Sequence, residues 1–182
     1  MNGYPVPSRI FHWLVALMVV VQLLAGIAMT SEGFDGLSDA LYITHKGLGV
    51  LILGVLAVRL AWRVLGPPPP PLPEAIPPSE RRLAVWTHRF LYLLVAALAV
   101  TGYLRTVGGG FPIELLDALG IPPLVGERPE LATALSVIHK FLGYVLVAVV
   151  AVHAGAVIQN TFLVRNRILW RMWPPWGRSR GE

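Results

Sequence analysis

The chain has 182 residues, 55% of them hydrophobic and only 14% charged, with a mean hydropathy of +0.63. A water-soluble domain of this size needs far more polar surface, so the composition excludes one and points to a membrane. The net charge of +5 comes without aromatic–basic interleaving on a soluble domain and does not indicate nucleic acid, and the absence of cysteine excludes disulfides and iron–sulfur ligation.

Four stretches approach the roughly 20 apolar residues that span a bilayer as a helix: Ile10–Met29, Tyr42–Leu65, Leu83–Leu104 and Ala134–Leu163. Each carries one or two polar interruptions, so the expectation is an all-α membrane protein, a four-transmembrane-helix bundle that hides them. Gly26 and Ala28 loosely resemble a signal-cleavage site at the end of the first stretch. That stretch is nevertheless long enough to span, its leader holds only Arg9, and its histidine has partners elsewhere.

Between the second and third stretches, Gly66 to Pro78 is proline-dense, with Pro67 to Pro71 in a row and then Pro73, Pro77 and Pro78. It reads as an extended polyproline spacer rather than a docking site for a proline-binding module. Ser79 and Arg82 do not form a capping box, which leaves the start of the third span open. Gly108, Gly109 and Gly110 end that span. Pro112, Pro122, Pro123 and Pro129 then prevent a long helix in the loop from about Thr106 to Leu131, where Ile113–Leu119 reads as a short amphipathic helix on the membrane surface. The loop reads as a cap over a site beneath it, as an admission point for a redox partner or small substrate, or both. With no internal repeat, residues 1–182 read as a single membrane domain.

Charge orients the bundle. Eleven of the fifteen basic residues lie at the N-terminus, the C-terminus and around the proline segment, whereas the opposite side holds only Lys46, Arg105, Arg128 and Lys140. The positive-inside rule therefore places both termini in the cytoplasm. The outer loops combine four basic residues with seven acidic ones and net −3.

Histidines carry the chemistry. His139 and His153 are fourteen residues apart on the last span, close to four full turns, so they share a face about 21 Å apart along the axis. In an up-and-down bundle His45 falls level with His139, and His12 level with His153. Intramembrane ionisable groups need partners, and paired neutral imidazoles suit six-coordinate haem iron. Zinc fits poorly, since no carboxylate or cysteine stands beside these residues. Without cysteine, any haem is held by coordination and packing alone. Gly49, Gly143 and Ala16 each lie one turn after a histidine, and Gly155 and Ala156 adjoin His153. Such small residues suit a flat porphyrin but are also ordinary membrane packing. Lys46 and Lys140 adjoin the two outer histidines and read either as haem-propionate partners or as snorkelling side chains. His88 lies level with His12 and His153, with Tyr92 one turn on. Depth and periodicity leave it open as a ligand, a propionate partner or part of a quinone pocket with Arg89.

Together these residues resemble the prokaryotic cytochrome b561 family, which includes the cytochrome b subunits of hydrogenases and formate dehydrogenases. The resemblance runs through Arg9-Ile10-Phe11-His12-Trp13-Leu14, His45-Lys46-Gly47-Leu48-Gly49, Val58-Arg59-Leu60 with Arg63, and His88 through Tyr92 to Leu94. It continues through Thr101-Gly102, Ile121-Pro122-Pro123-Leu124, His139-Lys140 with Gly143, His153, and Arg171-Met172 with a proline after it. It implies two non-covalent b haems in a bacterial inner-membrane bundle, His12 and His153 holding the cytoplasmic-side haem and His45 and His139 the periplasmic-side haem, with His88 left out of ligation. It also implies electron exchange between the quinone pool, ubiquinone in particular, and a periplasmic redox protein or superoxide. The specific enzymatic form is superoxide oxidation coupled to ubiquinone reduction. The alternative is a membrane-anchor cytochrome b subunit of a larger periplasmic dehydrogenase or reductase. Two departures weigh on superoxide. Gln159, Asn160 and Thr161 stand where similar small members carry paired histidines thought to serve the quinone, so Asn160 could hydrogen-bond a quinone without titrating near neutrality. The outer loops are also acidic overall, although Lys46, Arg105 and Lys140 could form a local positive funnel for an anion. A small histidine-relay transporter fits least, because the spans lack interior breaks.

Overall fold

The computed structural model of the chain describes residues 3–72, 76–166 and 168–176. Pro73 and the charged residues Arg167, Arg178 and Arg180 lie outside the described residues. Among the described residues there are no strands. The helices are α1 (Val6–Ala28), α2 (Ser38–Leu65), α3 (Pro78–Gly108), the short α4 (Glu114–Ala118) and α5 (Pro129–Ile158). α1, α2, α3 and α5 (with its C-terminal extension to Leu163) are each long and apolar enough to cross a membrane, which gives the expected four-span bundle.

The long helices start four or five residues before the predicted spans. Proline sets three of these starts: Pro7 lies in the first turn of α1, and Pro78 and Pro129 open α3 and α5. Proline's fixed φ and missing N–H suit a first helical turn. Hydropathy places the boundary later because charged residues such as Arg81, Arg82 and Glu130 occupy the first turns. α3 ends at Gly108 within the predicted glycine run, where Gly110 takes a positive φ of 78°. α5 stops at Ile158, and the chain continues through a π-helical turn over Gln159–Leu163.

α1 packs on α2, α2 on α3, and α3 on α5. Their shared core is Val15, Met18, Val19, Ile52, Leu56, Leu94, Val95 and Leu146, with Leu56 only 2% exposed. Large apolar side chains such as Leu17, Leu24, Leu93 and Val152 point outward instead. In water that surface would be a liability; in a bilayer it meets lipid tails of its own polarity.

The two ends of the bundle are closed differently. At the end that carries both termini, the Arg9 guanidinium donates to the Pro174 carbonyl (2.8 Å), Trp13 Nε1 to the Met172 carbonyl (2.8 Å), and Arg171 to the carbonyls of Pro70 (2.7 Å) and Pro71 (2.9 Å). Arg9 and Arg171 are each 3% exposed. A polyproline chain makes no internal hydrogen bonds, so its carbonyls are free to accept these donors. The proline segment is therefore a strap docked on the C-terminal segment. At the opposite end, α4 does not lie free on a membrane surface. It packs on α2, with Ile113 buried and the Leu115 side chain against Gly47.

Candidate functional site

The bundle gathers the five histidines in two clusters, His45 with His139 near one end and His12, His88 and His153 near the other. Near the loop end, His45 of α2 and His139 of α5 have ring centroids 6.1 Å apart. Near the terminal end, His12 of α1 and His153 of α5 are 6.4 Å apart. All four are half-buried. An imidazole nitrogen binds a metal at about 2 Å, so two rings facing across one iron have centroids roughly 6 Å apart once the ring radii are added. Both spacings accommodate a bis-histidine haem.

The loop-end pair opens on a cavity of about 1340 Å³ whose lining includes Gln22, His45, Gly49, Arg105, His139 and Lys140. Gly143 also lines it, and a Cβ added there would meet nothing within 4 Å. The small residue one turn after His139 thus faces open space. Two further glycines clear the imidazoles themselves. A Cβ on Gly102 would sit 3.0 Å from His139 Cε1, and one on Gly26 would sit 3.3 Å from His45 Cε1.

Hydrogen bonding sets the tautomer of His139. Thr101 Oγ1 donates its one proton back along α3, to the Ala97 carbonyl at 2.7 Å, and lies 3.1 Å from His139 Nδ1. The hydroxyl must therefore accept from Nδ1–H, which leaves Nε2 with its lone pair. His45 is less constrained. Gln22 Nε2 donates to its backbone carbonyl at 3.1 Å, while Nδ1 is buried with no hydrogen-bond partner among the described residues, as is Gln22 Oε1. Sequence reasoning did not single out Thr101 or Gly102 as acting on a histidine, and Gly26 entered only as a cleavage-site resemblance. Gln22, a lone amide in an apolar span, was the one available signal.

The terminal-end pair has two additional neighbours. Arg59 Nη2 lies 3.1 Å from His12 Nδ1, and its guanidinium stacks over the Tyr92 ring, 5.0 Å from the centroid. His88 lies 5.2 Å from His153, centroid to centroid, and its Nδ1–H donates to the Ala84 carbonyl at 2.6 Å. It is more exposed than the four paired histidines.

The remaining expected contacts are distributed unevenly. Lys46 lines the cavity too, but as a paired cation, because its Nζ donates to Glu114 Oε1 (2.6 Å) and to the Pro112 carbonyl (2.8 Å). That hydrogen bond from Lys46 holds the Glu114 carboxyl below the usual carboxylate range. Lys140 and Arg105 line the cavity. Arg89 is exposed and its guanidinium stacks on the Trp86 ring, 5.2 Å from the centroid. Both ends of the Asn160 amide are engaged locally, Nδ2 with the Ala156 carbonyl at 3.0 Å and Oδ1 with Asn166 at 2.5 Å.

Comparison with known proteins gives one consistent result. A family profile described as prokaryotic cytochrome b561 matches residues 3–175. Cytochrome b561 homolog 2 of Escherichia coli (strain K12) is 32% identical over 170 residues, covering 93% of this chain and 90% of that protein. A probable superoxide oxidase, CybB, of Yersinia pestis is 28% identical over 170 residues, covering 90% and 91%. Cytochrome b561 homolog 1 of the same E. coli strain is 24% identical over 179 residues, covering 96% and 98%.

Proposed function

The chain belongs to the prokaryotic cytochrome b561 family of haem b electron-transfer proteins and is a multi-pass protein of the inner membrane; on that footing we propose that it is one membrane domain carrying two b haems, one at each histidine pair. In this reading His45 and His139 hold the loop-end haem, and His12 and His153 the terminal-end haem. The observation that carries it is the pair of facing imidazoles at each end, 6.1 Å and 6.4 Å apart, joined by one helix whose two histidines stand about 21 Å apart along its axis.

Bound haem would supply a one-electron carrier at each depth. The chain's own residues orient and shield these carriers. Thr101 fixes the His139 tautomer, Gly26 and Gly102 make room for the imidazoles, and the packed core between the ends keeps water out. We place the terminal end in the cytoplasm, because eleven of fifteen basic residues flank it. Electrons then pass between the quinone pool and a periplasmic donor or acceptor.

The specific form is superoxide oxidation coupled to ubiquinone reduction. Two superoxide anions lose one electron each and become dioxygen, and the quinone takes up two electrons and two protons to become quinol. The likeness to a probable superoxide oxidase supports this form, as do Arg105 and Lys140 lining the loop-end cavity. With Lys46 and Glu114 paired and Asp39 also in the lining, the cavity keeps one positive charge in excess, which favours a small anion even where the outer surface as a whole is acidic. At the other end His88, beside His153, is the candidate quinone contact. Its Nδ1 is engaged by Ala84, so Nε2 is left to accept a hydrogen bond. The alternative, an anchor subunit of a larger periplasmic enzyme, draws on the exposed apolar side chains of the outer loop, Phe111 at 66% and Leu124 at 81%.

The test is haem per polypeptide by pyridine haemochrome, with superoxide-driven haem reduction measured on the same sample. Two b haems are expected in the wild type. Either His45→Ala or His139→Ala should lose the loop-end haem and keep the other. Loss of both haems, or of neither, would overturn the pairing.

A further inference from the structure

The contact between Arg59 and His12 is incompatible with haem ligation by that histidine. A guanidinium carries five N–H donors and no acceptor, and it does not deprotonate in proteins. At 3.1 Å it donates to His12 Nδ1. A neutral imidazole that accepts at Nδ1 carries its proton on Nε2 and has no lone pair there for a metal. Ligation through Nε2 moves the hydrogen to Nδ1, and two donors then face each other. Ligation through Nδ1 displaces the guanidinium outright. Either way Arg59 must leave His12 when the iron binds. At the other end the corresponding nitrogen of His139 meets the Thr101 oxygen, which can accept.

Among the described residues no carboxylate pairs with Arg59. Among the described residues the one ion pair is Lys46–Glu114, at the opposite end. Seven of the ten acidic residues lie in the outer loops. The Arg59 guanidinium also stacks over the Tyr92 ring face, which attracts a cation but does not neutralise it. Arg59 is half-buried within a membrane-spanning helix, where an unpaired charge is costly.

We propose that Arg59 binds a carboxylate of the haem held at the terminal end, taking up a propionate as it releases His12. The proposal rests on the His12–His153 reading above. Haem b brings two carboxylates, and the guanidinium fork matches a carboxylate in two parallel hydrogen bonds. Arg59 is thus a positioning residue that holds the haem at its carboxylate and leaves His12 free to ligate. It touches the cofactor's periphery, not the iron.

The test compares natural haem with haem dimethyl ester, whose propionates are blocked, in the full-length protein in detergent. The readout is the rate at which the terminal-end haem passes to an apo-globin acceptor, with the loop-end haem as internal reference. With natural haem, Arg59→Gln is expected to speed loss about tenfold, the low end of what removing an outer-sphere partner costs, and Arg59→Lys to speed it less. With the ester, wild type and Arg59→Gln should release at the same rate. An undiminished Arg59→Gln effect with the ester, or no effect with natural haem, overturns the proposal. If Arg59→Gln does not assemble, equal loss of natural and ester haem from both wild type and Arg59→Lys overturns it, and faster loss of the ester supports it. Wild-type protein with no haem at this end refutes the underlying reading before any variant is made.

Discussion

A histidine becomes a usable ligand only when a neighbour decides which nitrogen carries the proton, and at the loop end that neighbour is Thr101. Thr101→Val keeps the shape, removes the acceptor and leaves His139 Nδ1–H unpaired beside an apolar group. Outer-sphere changes of this kind cost about 10- to 100-fold in affinity. On the two-haem reading proposed above, Thr101→Val should therefore release the loop-end haem at least tenfold faster than wild type in an acceptor-transfer assay, with the terminal-end haem unchanged. Equal rates for the loop-end haem would remove Thr101 from the site. The histidines themselves were legible in the sequence because hydropathy fixes depth and depth pairs them. Thr101, Gly26 and Gly102 were not, because their roles lie in contacts across helices. Gly102 on α3 clears a ring on α5, and no periodicity within one helix encodes that relation.

Among the elements, hydropathy located the four spans and placed the C-terminal ends of the first, second and fourth within a residue, at Ala28, Leu65 and Leu163, but it set every start four or five residues late, because proline and charged first turns lie outside the apolar run. The larger difference concerns α4. Its amphipathic pattern suggested a membrane surface, yet the short helix is docked on α2 by Ile113, Leu115 and the Lys46–Glu114 pair. An apolar stripe states that a face is covered, not what covers it. The docking carries a pH signature. Glu114 has its folded-state pKa held down by Lys46, so the pair's contribution is complete above the ordinary carboxylate pKa and is lost as pH falls through the lowered value. The hydrogen-exchange protection factors of residues 111–120, which remove the intrinsic pH dependence of amide exchange, should then be flat across neutral pH and fall only in acid below the ordinary carboxylate range. In Glu114→Gln the lowered protection should appear at neutral pH and lose its acid dependence. An acid response that survives in Glu114→Gln would assign the latch to another group.

At the scale of the whole molecule the two ends differ in how many separate chain segments they tie together. The loop end is closed by one short helix and one partly exposed ion pair. The terminal end joins the start of α1, the proline strap and the C-terminal segment through Arg9, Trp13 and Arg171. These segments are far apart in sequence, so their docking contributes only once the bundle is assembled, and it ties the proline connection between α2 and α3 to the segment that follows α5. Arg171 carries the strap. Its guanidinium is 3% exposed and meets two proline carbonyls that have no other acceptor duty within a polyproline chain. Hydrogen bonds from a charged donor contribute about 1.5–3 kcal/mol each, and truncation would also leave a cavity. Arg171→Ala should therefore lower the thermal midpoint of the detergent-solubilised protein and expose the strap to proteolysis around residues 67–72. It should also speed loss of the terminal-end haem while leaving the loop-end haem at its wild-type rate. Lysine restores one donor but not the fork, so Arg171→Lys should fall between. If Arg171→Ala loosened both haems equally, the ends would not be independent, and the packed core of Leu56 and its neighbours would be transmitting the strap's release along the full length of the bundle.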